Sequence, residues 1–130
     1  MLSWLGIGRS TPKKRASPVV NNKPKKTYLK TFNGTLPPRR AVLLYINTTW
    51  CGPCKRARPI MEEVARKSKL TVYSVDGDIH DKIGSWTLPR YYPTLYHYSN
   101  GHAERYPVAS VSQAKPADIL AWSTLMTFKH

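Results

Sequence analysis

Acidic residues, cysteines and long apolar runs are all scarce in this chain of 130 residues. Two cysteines are too few for a disulfide-dense secreted scaffold, so that class of small protein is excluded. The longest apolar run, residues 41–46, is far shorter than the roughly 18 residues of a membrane span, and we expect no transmembrane segment. The length is that of one ordinary domain, which excludes a multidomain enzyme and a long repeat array.

Basic residues are abundant, with 21 lysines and arginines against seven acidic residues and a net charge of +14. Residues 1–40 contain ten of the basic residues and no acidic one, whereas residues 41–130 contain eleven basic and seven acidic residues. The excess charge therefore lies near the N-terminus. Such an asymmetry indicates a polyanionic or acidic partner and says nothing about the fold.

Residues 1–26 form a basic, proline-rich N-terminal arm with neither a strand nor a helix period. We predict that this arm is disordered alone or docked on a partner. An anionic partner would bind its two basic clusters, which contain Lys13, Lys14, Arg15, Lys23, Lys25 and Lys26. Their spacing also suits a bipartite nuclear address or nonspecific neutralisation of nucleic-acid phosphates, and a solvated tail remains the plain alternative.

The first eight residues are apolar, but they are shorter than a typical signal core and the basic residues follow them. A secretory signal has the opposite order, so we expect no signal peptide. The expected location is therefore intracellular, either cytoplasmic or nuclear, or within a packaged particle.

Residues 27–130 are predicted to form one α/β domain. Tyr28–Phe32 alternates like an edge strand, and the apolar run at 41–46 is typical of a central strand covered on both faces. A helix is expected over residues 53–68, a second central strand over 70–75, and one or two helical turns within 78–86. Asn100-Gly101 predicts a type I′ hairpin between strands at 94–98 and 103–106, and a helix over 116–128 ends the domain. These elements predict a mixed sheet with helices on both faces.

The segment Trp50-Cys51-Gly52-Pro53-Cys54 lies between a buried strand and a helix. Gly52 allows the tight turn, and Pro53 suits the first turn of a helix. Amides at a helix N-terminus stabilise a thiolate, so Cys51, expected at the exposed mouth, is the candidate nucleophile and Cys54 the resolving thiol.

A zinc site is the chemical alternative for the two cysteines. His97 and His102 could supply the remaining ligands, but they lie more than 40 residues after Cys54. Zinc-finger spacing is shorter, and a Gly-Pro interior is typical of a redox turn, so we expect no metal.

The match to a known family extends beyond the cysteines. Pro59 lies within the expected helix, and Tyr92-Pro93-Thr94 precedes a strand and the Asn100-Gly101 hairpin. With Trp-Cys-Gly-Pro-Cys, these residues make the chain resemble the thioredoxin family over residues 27–130. The resemblance implies a three-layer α/β/α fold with a central mixed sheet, thiol–disulfide exchange with protein substrates, and no metal or organic cofactor.

The resemblance also implies roles for residues around the cysteines. Pro93 would be a cis-proline packed against them, the backbone of Tyr92 would pair with a substrate strand ahead of Thr94, and Trp50 would border the active-site surface. Tyr45 occupies the position of the family's buried carboxylate, and Ser74 replaces the accompanying lysine. We expect these two side chains to hydrogen-bond each other, and the release step to be slower or one redox state to be preferred.

The segment from Phe32 to Arg40 is too short and proline-rich for the family's first helix, so a trimmed first helix is predicted. The changed carboxylate position and the basic arm leave an alternative function open. In that alternative the chain is a structural subunit of a large assembly, such as a virion or nucleoprotein, and the arm threads between partners or binds nucleic acid.

Overall fold

The computed structural model describes residues 28–107 and 111–129. The basic arm at 1–26, with its predicted binding residues, lies outside the described residues. The described strands are β1 (Leu29–Thr31), β2 (Val42–Asn47), β3 (Thr71–Asp76), β4 (Lys82–Ile83), β5 (Trp86–Thr87), β6 (Thr94–Ser99) and β7 (His102–Arg105). The α-helices are α1 (Gly52–Lys67) and α2 (Pro116–Lys129), and a short 3₁₀ turn spans Val111–Gln113.

Five of the strands form one mixed sheet in the order β1-β3-β2-β6-β7. Strands β1 and β2 both run parallel to β3, whereas β6 is antiparallel to β2 and to β7. The β6–β7 turn has φ values of 51° at Asn100 and 78° at Gly101. Both are positive, as the predicted type I′ turn requires.

The alternating side chains of β2 supply both halves of the core. Leu43 and Tyr45 face the helices, and Val42, Leu44 and Ile46 face the other side of the sheet. All five are at most 1% exposed, which explains why the run at 41–46 is apolar without alternation. The predicted central strand is therefore confirmed.

Both α-helices pack on the same face of the sheet, where Met61 and Val64 of α1 share a core with Ile119 and Trp122 of α2. The expectation of helices on both faces is wrong for the described residues. The second face is instead covered by the two-stranded β4–β5 hairpin, through Ile83 and neighbouring residues.

The segment 78–86, expected to be helical, forms a turn and part of the β4–β5 hairpin instead. Gly84, with φ of 60°, provides the left-handed residue that this short hairpin needs. Residues 32–40 contain no helix, as the trimmed first helix predicts. None of the described helices is long and apolar enough to cross a membrane.

The parallel arrangement gives the sheet two distinct ends. The cysteine end is formed by the carboxyl ends of β2 and β3 and by the start of α1 at Gly52. The opposite end is formed by the amino ends of β1, β2 and β3 and by the last turns of α1 and α2. Residue 28, where the described chain begins, lies at the opposite end.

Candidate active site

The two cysteines lie where β2 passes into α1. The chain leaves β2 at Asn47, turns at residues 49–50 and enters α1 at Gly52, with a proline in the first turn. Cys51 is the N-cap residue, and its extended backbone conformation is the usual one for that position. Cys51 and Cys54 are joined by a disulfide, with their Cα atoms 5.2 Å apart.

The amide at the start of α1 distinguishes the two sulfurs. The backbone N–H of Cys54 donates to Cys51 Sγ at 3.1 Å, and the first turn of α1 contains no acidic residue. Solvent exposure does not distinguish them, since Cys51 is 5% and Cys54 4% exposed. The expectation that Cys51 lies at an exposed mouth is therefore wrong, and only the helix-terminal hydrogen bond marks it as the sulfur that would carry negative charge.

Tyr45 lies beneath the cysteines and is 1% exposed. Its hydroxyl donates to the backbone oxygen of Cys54 at 2.8 Å. Burial raises the pKa of Tyr45 to about 12, because the charged phenolate is disfavoured there, and the positive charge of Arg58 opposes the shift. At neutral pH Tyr45 is therefore an uncharged hydrogen-bond donor beside Cys54, not a proton acceptor.

Tyr45 and Ser74 are neighbours in the β2–β3 ladder, yet they do not bond each other. Ser74 Oγ accepts a hydrogen bond from Asn47 Nδ2 at 3.0 Å instead. The expected Tyr45–Ser74 hydrogen bond is therefore wrong, because Tyr45 bonds the Cys54 carbonyl in α1 and Ser74 bonds Asn47 in β2.

The rim of the site is built from two aromatic side chains and the turn after β3. Trp50 is 66% exposed, and its Nε1–H donates to Asp78 Oδ2 at 2.8 Å. The rings of Trp50 and Tyr92 meet edge to face with centroids 5.9 Å apart. A Cβ added at Gly77 would lie 2.5 Å from the Tyr92 ring, so the absence of a side chain at Gly77 lets Tyr92 reach this position.

The Tyr92–Pro93 peptide bond is cis, and it leads directly into β6 at Thr94. Thr94 pairs with Ile46 of β2, which places it beside the end of the strand that leads to the cysteines. The hydroxyls of Thr48 and Thr94 are buried and, within the described residues, have no hydrogen-bond partner. Each of these hydroxyls therefore retains a hydrogen that it can donate.

Sequence reasoning missed Gly77 and Asp78, which position the two rim aromatics. The available signal was Asp76-Gly77-Asp78 directly after the strand at 70–75. Because β3 runs parallel to β2, whatever follows β3 lies at the same end as the cysteines. Asp76 stabilises this turn, since its Oδ1 accepts from the Asp78 amide at 2.8 Å.

The two histidines that were candidate zinc ligands lie apart from the cysteines. His97 is buried against Trp122, and His102 lies in β7 beside Glu104. No group of three or more His, Cys, Asp or Glu side chains able to hold a metal occurs among residues 28–107 and 111–129.

This geometry can be compared with known proteins. The family model described as Thioredoxin matches residues 23–123. The chain belongs to the thioredoxin family. The solved structure of a thioredoxin from Malassezia sympodialis superposes with a TM-score of 0.55 at 21% identity, covering 77% of this chain and 91% of that one. The thioredoxin-like α/β fold with a mixed sheet is thereby confirmed.

Curated relatives carry the same domain in different settings. This thioredoxin-family chain is 31% identical over 106 residues to protein disulfide isomerase-like 1-3 of Oryza sativa subsp. japonica, covering 72% of this chain and 18% of that protein. It is 35% identical over 77 residues to the thioredoxin of Pseudomonas aeruginosa, covering 55% of this chain and 68% of that protein. The chain thus spans under a fifth of the first relative, and the two share one domain.

Proposed function

We propose that this chain is a protein disulfide oxidoreductase that exchanges electrons through Cys51 and Cys54. The observation that carries the proposal is the cysteine pair at the N-terminus of α1, with the Cys54 amide donating to Cys51 Sγ at 3.1 Å. That amide would stabilise a thiolate on Cys51 and favour it as the attacking sulfur. Membership of a family that includes thioredoxins and disulfide isomerases supports the same activity.

The exchange would proceed in two steps. The Cys51 thiolate attacks one sulfur of a substrate disulfide, forms a mixed disulfide and releases the other substrate sulfur as a thiolate. The Cys54 thiolate then attacks Cys51 Sγ, closes the Cys51–Cys54 disulfide and releases the second substrate sulfur. Two electrons pass to the substrate, whose thiolates take up the protons that Cys51 and Cys54 lost. The reverse sequence oxidises a substrate dithiol and requires no metal or organic cofactor.

The surrounding residues would serve this exchange as follows. Trp50 and Tyr92 form an aromatic surface beside the disulfide, and the backbone of Tyr92 would pair with an extended substrate segment ahead of cis-Pro93 and Thr94. Gly52 and Pro53 form the first turn of α1, which brings the Cys54 amide to Cys51 Sγ.

Tyr45 would position Cys54, because its hydroxyl donates to the Cys54 backbone oxygen at 2.8 Å. It cannot serve as the base that deprotonates Cys54 at neutral pH, since its pKa is raised to about 12. We therefore propose that the second step is slower here than in a relative with a buried carboxylate at this position.

The test is the reduction potential of the Cys51/Cys54 pair. The thiols are trapped after equilibration in dithiothreitol or glutathione buffers of defined ratio, with Cys51→Ser as the control that cannot close the disulfide. A potential within about −270 to −120 mV supports the oxidoreductase and gives its favoured direction. A pair that stays in one state at every ratio would contradict it and favour the structural subunit.

The domain boundary and the role of the arm belong to the same proposal. Residues 27–130 would form the redox domain, and residues 1–26 would dock on an anionic partner inside a cell or a packaged particle. Deleting residues 1–26 should leave the exchange rate unchanged and remove binding to that partner. A loss of exchange would place the domain boundary earlier in the chain.

A further inference from the structure

A groove lies at the opposite end of the sheet, between the last turn of α1 and the second half of α2. We name it the α2 groove. It has a volume of about 280 Å³ and is lined by Lys67, Lys69, Leu70, Leu120, Thr124 and Phe128, among others. It shares no lining residue with the disulfide site, because the cysteines lie at the start of α1 and the groove at its end.

The apolar surface of α2 extends around the helix, although only part of it is buried. Ile119 and Trp122 pack into the core, whereas Leu125 is 66% and Phe128 is 85% exposed. Large apolar side chains exposed together on one helix commonly mark an interaction surface. Phe128 lies at the edge of the α2 groove, so the uncovered face of α2 and the groove form one continuous apolar surface.

Three of the four hydroxyl groups that line the α2 groove donate to carbonyls within α2, and the fourth, on Ser68, accepts from the Leu70 amide. Thr124 Oγ1 donates to the Leu120 carbonyl at 3.1 Å, and Thr127 Oγ1 donates to the Ser123 carbonyl at 2.8 Å. Their hydrogens are not available to a ligand. The groove is therefore suited to apolar side chains and not to a highly polar small molecule.

Positive charge surrounds this apolar surface. Glu63 accepts from both Arg66 and Lys67 at 2.7 Å, so one carboxylate is shared by two cations. Within residues 28–107 and 111–129, Lys69 and Lys129 have no ion-pair partner. An occupant that contacts Leu120 and Phe128 must therefore lie among cations that outnumber the nearby carboxylates.

We infer that the α2 groove is a docking surface for an acidic, amphipathic helical segment of a partner protein. Apolar side chains on one face of the segment fill the groove, and its carboxylates meet Lys67, Lys69 and Lys129. A nucleic acid would match the charge but would leave the apolar lining unused. The chain's own arm contains seven lysines and arginines and would bring like charge to the same lysines.

The test titrates the full chain with a synthetic helical peptide that has leucines along one face and glutamates on the others. Binding is measured by fluorescence anisotropy, and its site by amide chemical shifts. We expect saturable binding, with shifts at Ser68, Thr124 and Thr127, and no binding of the same peptide with lysines in place of glutamates. Lys69→Glu and Phe128→Ser should each weaken binding by about tenfold.

The matched control is Lys82→Glu, the same charge reversal in β4 on the other face of the sheet. It should leave the affinity unchanged, and none of these three variants should alter the exchange rate of the cysteine pair. Equal affinities for Phe128→Ser and the unchanged protein would overturn the proposal.

Further measurements distinguish three other possible occupants of the α2 groove. Finding any one of them would overturn the proposal. Altered shifts in the α2 groove after deletion of residues 1–26 would identify the chain's own arm. A concentration-dependent dimer abolished by Phe128→Ser would identify a second copy. Tight binding of a single-stranded oligonucleotide that is lost with Lys69→Glu and retained with Phe128→Ser would identify a phosphate surface.

Discussion

The two ends of the sheet use their charged residues differently. At the cysteine end, Asp76 and Asp78 are committed to hydrogen bonds that build the rim, through the Asp78 amide and Trp50 Nε1. At the opposite end, the cations lie around an apolar surface, and Arg66 and Lys67 at the end of α1 share the carboxylate of Glu63. The first end is fixed by directional contacts that position reacting atoms. The second has charge and apolar area available for a partner.

The largest effect at the cysteine end should come from removing the attacking sulfur. Cys51→Ser should lower disulfide exchange by at least about 10³-fold, because the helix-terminal amide donates to Cys51 Sγ and not to the sulfur of Cys54. Cys54→Ser should retain the first step and accumulate a mixed disulfide with substrate. Thiol trapping with gel separation measures both. A mixed disulfide that forms equally on Cys51→Ser would show that Cys54 attacks.

The second prediction concerns Gly77, at the cysteine end. Gly77→Ala would place a Cβ 2.5 Å from the tip of the Tyr92 ring, so the ring must move away from Trp50. We expect about tenfold slower exchange, equivalent to about 1.4 kcal/mol of barrier, with little loss of stability because only a ring tip must shift.

The matched control for Gly77→Ala is Gly34→Ala, in the loop after β1, where an added Cβ meets no atom within 4 Å. Because Gly34 has a φ of 112°, alanine should lower stability there and leave the exchange rate unchanged. Equal exchange rates for Gly77→Ala and the unchanged protein would show that the position of Tyr92 does not matter.

The third prediction uses the buried Tyr45. Tyr45→Phe removes the donor to the Cys54 carbonyl and should lower the free energy of unfolding by about 1 kcal/mol at about pH 8. Because the folded-state pKa of Tyr45 is raised to about 12 from 10.0, its contribution is complete below pH 10.0 and is lost between 10.0 and 12. The difference in free energy of unfolding between Tyr45→Phe and the unchanged protein should therefore be smaller at about pH 11 than at about pH 8, as measured by urea unfolding.

Tyr96→Phe is the control for the alkaline range. Burial, followed by a hydrogen bond with Tyr91, raises the pKa of Tyr96 to about 12, yet Tyr96 lies on the other face of the sheet. It should show a similar pH trend without altering the exchange rate. A constant Tyr45→Phe difference across this pH range would mean that Tyr45 ionises normally.

The elements that were predicted correctly are those whose short-range residue pattern matches the secondary structure they adopt in the fold. The apolar run in β2, the Asn100-Gly101 turn and the proline-started helices were each confirmed within one or two residues. The hairpin at 82–87 was missed, because strands of two residues are too short for any period to be detected. The placement of both helices on one face could not be predicted either, since it depends on packing between Met61 and Ile119 rather than on the pattern of either helix.

The cysteine pair was predictable as a site because the motif and its position after a strand are local. The hydrogen-bond partners of the residues around it were less predictable. Tyr45 and Ser74 are correctly adjacent in the ladder, but their partners, the Cys54 carbonyl and Asn47, depend on side-chain directions that a ladder does not specify. Asp78 reaches Trp50 across 28 positions of sequence, which no local pattern indicates.

The smallest effect should come from Glu63, at the opposite end. Hydrogen bonds from Lys67 and then Arg66 lower the pKa of Glu63, so its contribution to stability is present above its unfolded-state pKa and lost as the pH falls through the folded value. The Glu63 side chain is about one-third exposed, so solvent screens its ion pairs and Glu63→Gln should barely change thermal unfolding at neutral pH. The same substitution releases Arg66 and Lys67 from their shared carboxylate and should tighten binding of the acidic peptide at low salt.

Asp118→Asn, at the start of α2 and away from the α2 groove, removes the same charge and should leave that affinity unchanged. If both substitutions tighten binding equally, the peptide responds to net charge alone, and the opposite end of the sheet has no more specificity than the rest of the surface.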